Sequence, residues 1–249
     1  MNDTHPQTSH HYSVALPSAK PIFTYLLLGT LVVVYILQAL SEIILGDDLL
    51  FYFGGKINDF IVSGEYWRLV TPIFLHGSLA HLGSNALSLF IFGVRVESFF
   101  GHRRFLIVYL LSGVAGVVAS FIFSAQPSLG ASGAIFGLLG AFTVYFFNNR
   151  SKFGDRGNAY LRDMLVLIGI QLFVSFRPGI DLWGHVGGLI GGAAVSLFIA
   201  PQWRVDIDPT TGLPTLGDDH PLNLWRGCSV LIFAFALLLI TFFVSVLRW

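Results

Sequence analysis

The sequence predicts an all-α membrane protein, a bundle of six spanning helices followed by a seventh at the C-terminal end. Three observations carry that prediction. Of 249 residues, 54% are hydrophobic and only 11% are charged, whereas a soluble domain is about a quarter charged. Mean hydropathy is +0.72. Apolar runs recur at the length of about 20 residues that a bilayer-crossing helix needs. The period-2 alternation of a membrane barrel is absent, so helices, which satisfy their own backbone in lipid, are the spanning elements.

Residues 1–20, "MNDTHPQTSHHYSVALPSAK", are polar and lack the basic start of a secretory signal. They read as a cytoplasmic tail. Its His5, His10 and His11 have no Cys or acidic cluster beside them, and no metal is expected. The first span covers 22–41. Residues 46–78 form a long connection in which "EYWRLVTPIFLHGS" is apolar enough to lie in the bilayer interface, with Trp67 as an anchor. Spans follow near 79–94, 105–123, 132–147, 161–176 and 183–200; the one at 161–176 is marginal because its uncharged stretch is short. Residues 21–200 are the six-helix core. Residues 201–224 read as a hydrophilic cytoplasmic linker rich in Pro, Gly and acidic groups. Residues 225–249 form the additional helix, whose run "GCSVLIFAFALLLITFFVSVL" has no charge.

Basic residues set the orientation. With the N-terminus in the cytoplasm, ten Lys and Arg fall on the inner side, while Lys56, Arg68, Arg177 and Arg248 fall outside. The C-terminus is then external. A net charge of zero argues against a nucleic-acid surface, and the single cysteine, Cys228, excludes an internal disulfide.

Polar side chains inside spans are costly and mark interior or water-filled sites. His81 and Asn85, in "LAHLGSNALSLF", lie four apart on one face of the second helix. Ser132, in "LGASGAIFG", opens the fourth, and His185, in "WGHVGGLIGG", the sixth. All three helices run from outside to inside, so these four groups fall within about two turns of the outer ends, at one depth. Taken singly, each has an ordinary packing explanation. Convergence from three helices does not.

Gly133 and Gly137 form a GxxxG pattern, and Gly184, Gly188 and Gly192 form two more. Small residues at that spacing let membrane helices approach closely, which would bring the Ser132 hydroxyl to the His185 ring as an activated nucleophile requires. The N–H groups that open the fourth helix lack intrahelical partners. With Asn85 and His81 they would make an oxyanion hole, whose donors contribute about 3–4 kcal/mol each. No H-E-x-x-H, intramembrane aspartyl pair, P-loop or dinucleotide fingerprint is present in a fitting context. "GASGA" departs from the nucleophile elbow at Ala134.

"EYWRLVTPIFLHGSLAHLGSNALSLFIFG", "VESFFGHRRFLIVYLLSG", "GASGAIFG" and "GHVGGLIGG" together resemble the rhomboid family of intramembrane serine proteases, over roughly residues 60 to 200. The resemblance implies a six-helix core, with the C-terminal addition giving a 6+1 arrangement. It also implies a dyad of Ser132 as nucleophile and His185 as general base and acid, with His81 and Asn85 as oxyanion donors. Trp67 and Arg68 match the family's WR pair. Glu97, Gly101 and Arg104 match its turn between the second and third helices, with a structural role. Phe136, beside Gly133 in supporting the dyad, stands where an aromatic ring stacks on the histidine; phenylalanine in place of tyrosine keeps the ring and drops a hydroxyl.

The implied reaction is hydrolysis of peptide bonds in or beside transmembrane segments of other membrane proteins. No cofactor is implied, and the expected location is a bacterial plasma membrane. Two other classes compete. A rhomboid-like protein that binds membrane proteins without cutting them would lack a dyad member, and both are present. A proton-coupled carrier would continue its polar residues to the inner side, where "LLGAFTVYFF" is apolar.

Overall fold

The computed structural model describes residues 18–153 and 155–248; the tail expected over residues 1–20, with its three histidines, lies up to residue 17 outside the described residues. α1 (Ile22–Leu45) buries Thr24, Leu27, Leu31 and Gln38. That narrow stripe keeps one face on the bundle and leaves Tyr25, Leu26, Val32 and Val33 exposed, as a lipid-facing helix would. The helix stops at Gly46, whose left-handed backbone (φ 83°) returns its N–H to the Glu42 carbonyl.

The connection after α1 is folded. α2 (Leu49–Gly54), α3 (Asn58–Val62) and two single 3-10 turns at Tyr66–Leu69 and Thr71–Phe74 gather around the buried Arg68. Its guanidinium donates to the Gly55 and Tyr52 carbonyls, both at 2.8 Å, and pairs with Glu65 at 2.7 Å. Arginine suits this post because its planar fork serves several acceptors at once. Trp67 is exposed and donates Nε1–H to the Phe53 carbonyl at 3.0 Å.

α4 (Leu79–Ser88) passes through a π-type turn at Leu89–Gly93 into α5 (Val94–Phe100), making one run. Gly93 meets α1 at the bulge: a Cβ there would stand 3.0 Å from Thr24 Cγ2. Gly101, at φ 76°, then turns the chain into α6 (His102–Phe123). The fully buried Glu97 accepts from Phe23 N–H (2.9 Å), Thr24 N–H (2.7 Å) and Thr24 Oγ1 (2.7 Å), and meets His102 Nδ1 at 2.6 Å. A carboxylate here satisfies the partnerless donors of the α1 N-terminus and complements its dipole.

α7 (Ser132–Asn149) is buried without a break from Ala134 to Phe142, the signature of a helix with no lipid-facing side. α8 (Asp155–Val174) is the least buried of the candidate spans. α9 (Leu182–Ile199) packs on both α6 and α7. Glycine sets how closely: a Cβ on Gly188 would stand 2.0 Å from the Gly133 carbonyl oxygen, and one on Gly192 2.1 Å from that of Gly137. α6 closes the third side, where a Cβ on Gly116 would stand 2.5 Å from the Gly184 oxygen. The anticipated glycine contact joins the intended pair of helices, with α6 as an unforeseen third member.

Residues 201–224 differ from the linker anticipated. β1 (Trp203–Ile207) and β2 (Pro214–Asp218) pair antiparallel, Trp203 opposite Asp218 and Ile207 opposite Pro214. Long-range ties hold the hairpin. Arg104 pairs with Asp218 at 2.7 Å and also donates to the His220 carbonyl, and Asn149 donates to Pro201 O and accepts from Trp203 N–H. α10 (Leu224–Arg248) follows. Arg248 donates to the Phe121 and Ile122 carbonyls at 2.6 and 2.7 Å, two of the free acceptors that end α6.

Among the described residues six helical runs are long and apolar enough to cross a membrane: 22–45, 79–100, 102–123, 156–174, 182–199 and 224–248. α7 is outside that set. Three glycines and two terminal asparagines dilute its hydropathy, and its neighbours, not lipid, cover it.

Candidate active site

Ser132 opens α7, and the chain before it is shaped to leave that end bare. Gly130 has φ 130°, a conformation side chains rarely adopt. A Cβ there would stand 2.8 Å from His81 Nε2, so glycine is required on two counts. α4 and α9 are capped by side chains, Ser78 accepting from His81 N–H and Asp181 from Gly184 N–H. α7, with Ala131 at its cap position, has no such bond. Among the described residues its first N–H groups have no partner, and they lie at the positive end of a helix dipole.

Ser132, His185, His81, Asn85 and Phe136 all line one cavity of about 900 Å³ among α4, α7, α8 and α9. The serine that opens α7 and the histidine in the first turn of α9 thus line the same cavity. Gly133 turns instead toward α9, where it sits against the Gly184 oxygen. Among the described residues no hydrogen bond joins Ser132 to His185. Bonds of this kind are commonly long without substrate and tighten when it binds.

His185 is buried, and the Phe136 ring lies parallel to it with centroids 4.3 Å apart and planes 18° apart. Its Nδ1 stands 2.6 Å from Ser175 Oγ. Across the cavity, Asn85 Nδ2 is buried with no hydrogen-bond partner. Buried donors are rarely left so, and this one lies 3.6 Å from where a Cβ on Gly130, two residues before Ser132, would stand. The His81 ring meets His76 edge-on at 5.1 Å. Burial pushes His76 down to about 4, so that ring is neutral and adds no charge beside His81. No cluster of metal-ligating side chains occurs among the described residues.

The site is therefore a hydroxyl, an imidazole and a set of unused N–H donors around one cavity. Ser175 and His76 were not singled out from sequence. Ser175 ends a marginal span ten residues before His185, and nothing in "VSFRPG" marks it. His76 sits in "FLHGS" as one more loop histidine.

Fold and site together define an all-α, multi-pass integral membrane protein with a polar cavity inside its helical bundle. Residues 63–202 match the model of the Rhomboid domain, and the chain belongs to the rhomboid family. It is 43% identical over 176 residues to Rhomboid protease GluP of Bacillus subtilis (strain 168), an alignment covering 70% of this chain and 34% of that protein. It is 33% identical over 201 residues to RHOMBOID-like protein 9, chloroplastic, of Arabidopsis thaliana, covering 78% of this chain and 44% of the relative. RHOMBOID-like protein 7 of Arabidopsis thaliana is 35% identical over 163 residues, 64% of this chain and 51% of its own length. The chain thus spans a third to a half of these curated relatives.

Proposed function

We propose that this chain is an intramembrane serine endopeptidase that hydrolyses peptide bonds in or next to transmembrane segments of other membrane proteins. The observation that carries the reading is the shared cavity, which Ser132, His185 and Asn85, with its unpartnered Nδ2, all line beside an uncapped helix start. Its relatives include one named a rhomboid protease.

In this mechanism His185 takes the Ser132 proton as Oγ attacks the scissile carbonyl carbon, forming a C–O bond. The carbonyl oxygen becomes negative and is held by Asn85 Nδ2–H, His81 and the N–H groups at the start of α7. The intermediate collapses by breaking the C–N bond, and His185 gives its proton to the leaving amine. Water, deprotonated by the same histidine, then releases the acyl group and restores Ser132. Phe136 keeps the imidazole in plane. We place the N-terminus in the cytoplasm and the cavity toward the outer face of a bacterial plasma membrane, on the strength of the Lys and Arg distribution. A substrate span must unwind to enter, because lipid penalises an unpaired backbone; glycine or proline near the cut favours that.

The test is cleavage of a transmembrane reporter by the purified full chain in detergent or liposomes. Ser132→Ala and His185→Ala are each expected to reduce the rate by at least a thousandfold, and a fluorophosphonate probe to label the parent but not Ser132→Ala. Variants that cut as fast as the parent would falsify the dyad.

A further inference from the structure

The ring stack on Phe136 leaves one freedom unsettled. A half-turn about Cβ–Cγ keeps the imidazole in the same plane while exchanging the nitrogen that faces the cavity. Something else must choose, and the contacts of Ser175 identify it.

Ser175 follows directly on α8, is 2% exposed, and places its Oγ 2.7 Å from the Gln171 carbonyl oxygen and 2.6 Å from His185 Nδ1. A carbonyl oxygen has no proton to give, so the first contact holds a proton only if the hydroxyl donates it. A hydroxyl has one proton. The second contact then holds a proton only if Nδ1–H supplies it. The opposite assignment would set two oxygens face to face at 2.7 Å with nothing between them. One arrangement alone fills both contacts: Nδ1–H donates to Ser175, and Ser175 donates to Gln171.

We propose that Ser175 is a positioning residue that fixes His185 as the Nδ1–H tautomer, leaving the Nε2 lone pair to receive the Ser132 proton. It takes the place that a buried carboxylate holds in a Ser-His-Asp triad, with a neutral acceptor in place of an anion. When the ring becomes doubly protonated, Nδ1–H keeps the same bond, so the imidazolium is held by Ser175 throughout the cycle. The remaining ionisable groups that influence His185 are Asp181, which caps α9, and His81 across the cavity. Asp181 accepts from Gly184 N–H at 3.0 Å, and among the described residues the hydrogen bond of the His185 ring is made with Ser175 and with neither of these groups. The inference rests on the assignment of Ser132 and His185 as the reacting pair.

Four variants of the full chain test it: Ser175→Ala, Ser175→Thr, Ser132→Ala and, to identify the His185 signal, His185→Ala. Ser175→Ala is expected to lower kcat for reporter cleavage about tenfold with KM unchanged, the scale of one lost hydrogen bond. Ser175→Thr, which keeps the hydroxyl, should recover most of that loss. ¹⁵N spectra of the imidazoles, with His185 identified by its absence in His185→Ala, should show the Nδ1–H tautomer in the parent and a mixture of tautomers in Ser175→Ala. A Ser175→Ala protein with parental kcat and an unchanged His185 signal overturns the proposal. So does a parental His185 that already carries its proton on Nε2. If Ser132→Ala still cuts while the tautomer shifts as expected in Ser175→Ala, it is the dyad that fails, and the hold of Ser175 on the ring stands.

Discussion

Two buried asparagines lie near the two ends of α7 and have opposite fates. Asn149, 1% exposed, uses its side chain fully: Nδ2 donates to the Tyr145 and Pro201 carbonyls, and Oδ1 accepts from Trp203 N–H. Asn85, 5% exposed, has an Nδ2 with no partner. The surroundings repeat the contrast. Near Asn149 the carboxylate of Glu97 meets four donors and the hairpin is tied down through Arg104. Near Asn85 the start of α7 is uncapped. An unmade hydrogen bond in a buried place is a standing cost of about 1–3 kcal/mol. Buried polar atoms without a partner among the described residues occur near both ends, Arg104 Nε and His220 Nδ1 by the hairpin included. Asn85 Nδ2 differs in belonging to a residue that lines the cavity, where an acceptor from outside can reach it.

The sharpest way to break that contrast is to truncate both asparagines. Asn85→Ala should lower kcat/KM for a transmembrane reporter by about 10²–10³-fold, the effect of removing one oxyanion donor. Its thermal unfolding temperature should stay at or above the parent's, because no partner is left behind. Asn149→Ala should do the reverse. Losing three bonds, with a carbonyl and an N–H left unsatisfied, should destabilise the fold by about 3 kcal/mol, while the activity of the folded fraction stays near parental. If the two variants behave alike, the division between a structural and a functional end is wrong.

How much of this division was legible in the sequence depended on whether a feature is local. Apolar runs of span length are local, and six helical runs among the described residues are long and apolar enough to cross a membrane, while α7, diluted by its glycines and asparagines, is not among them. The GxxxG faces are local as well, and Gly188 and Gly192 do meet α7 through Gly133 and Gly137. Gly113 and Gly116 on α6 belong to the same junction, but they stand in an evenly apolar helix that gives no hint of which side is occupied. The hairpin at 203–218 was hidden for a related reason. "WRVDI" and "PTLGD" are short and carry three charges in ten residues, and the ties from Arg104 and Asn149, more than fifty residues away in the chain, are what order them. Ser175 is the extreme case. Its meaning depends on two contacts, one of them across to a different helix, and a serine at a helix end has many ordinary uses.

A smaller effect sharpens the structural side. Glu97→Gln keeps the shape of the side chain but swaps one acceptor oxygen for an N–H₂ that points at the donors of α1. One or two of the bonds to Phe23, Thr24 and His102 must be lost along with their charge. Bonds to a charged group are individually stronger than neutral ones, so the melting point should fall, corresponding to about 2 kcal/mol. Reporter cleavage measured well below that temperature should be unchanged. A loss of activity without a loss of stability would mean that this end of the bundle takes part in the chemistry.

The smallest effect concerns a cation on the open side that is fully provided for. Lys56 is completely buried and donates Nζ–H to the Ser124 and Gln126 carbonyls at 2.8 and 2.9 Å, tying the α2–α3 connection to the segment before Ser132. Burial disfavours its ammonium form and brings the group down to about 8. The unfolded chain keeps an ordinary lysine. Between about 8 and 10.5 the unfolded state therefore binds a proton that the folded state has released, and stability rises with pH across that window. Below it both states are protonated and the burial penalty is constant. The neutral amine still has two N–H groups for its two carbonyls, so nothing is lost on the way up. Melting of the detergent-solubilised chain from pH 7.5 to 10, measured as the difference between parent and Lys56→Met, should shift in the parent's favour by on the order of 2–4 °C. A difference that stays level or falls as pH rises would mean that Lys56 is held as a stabilised cation, and the loop it anchors would then depend on charge rather than on the two carbonyl bonds.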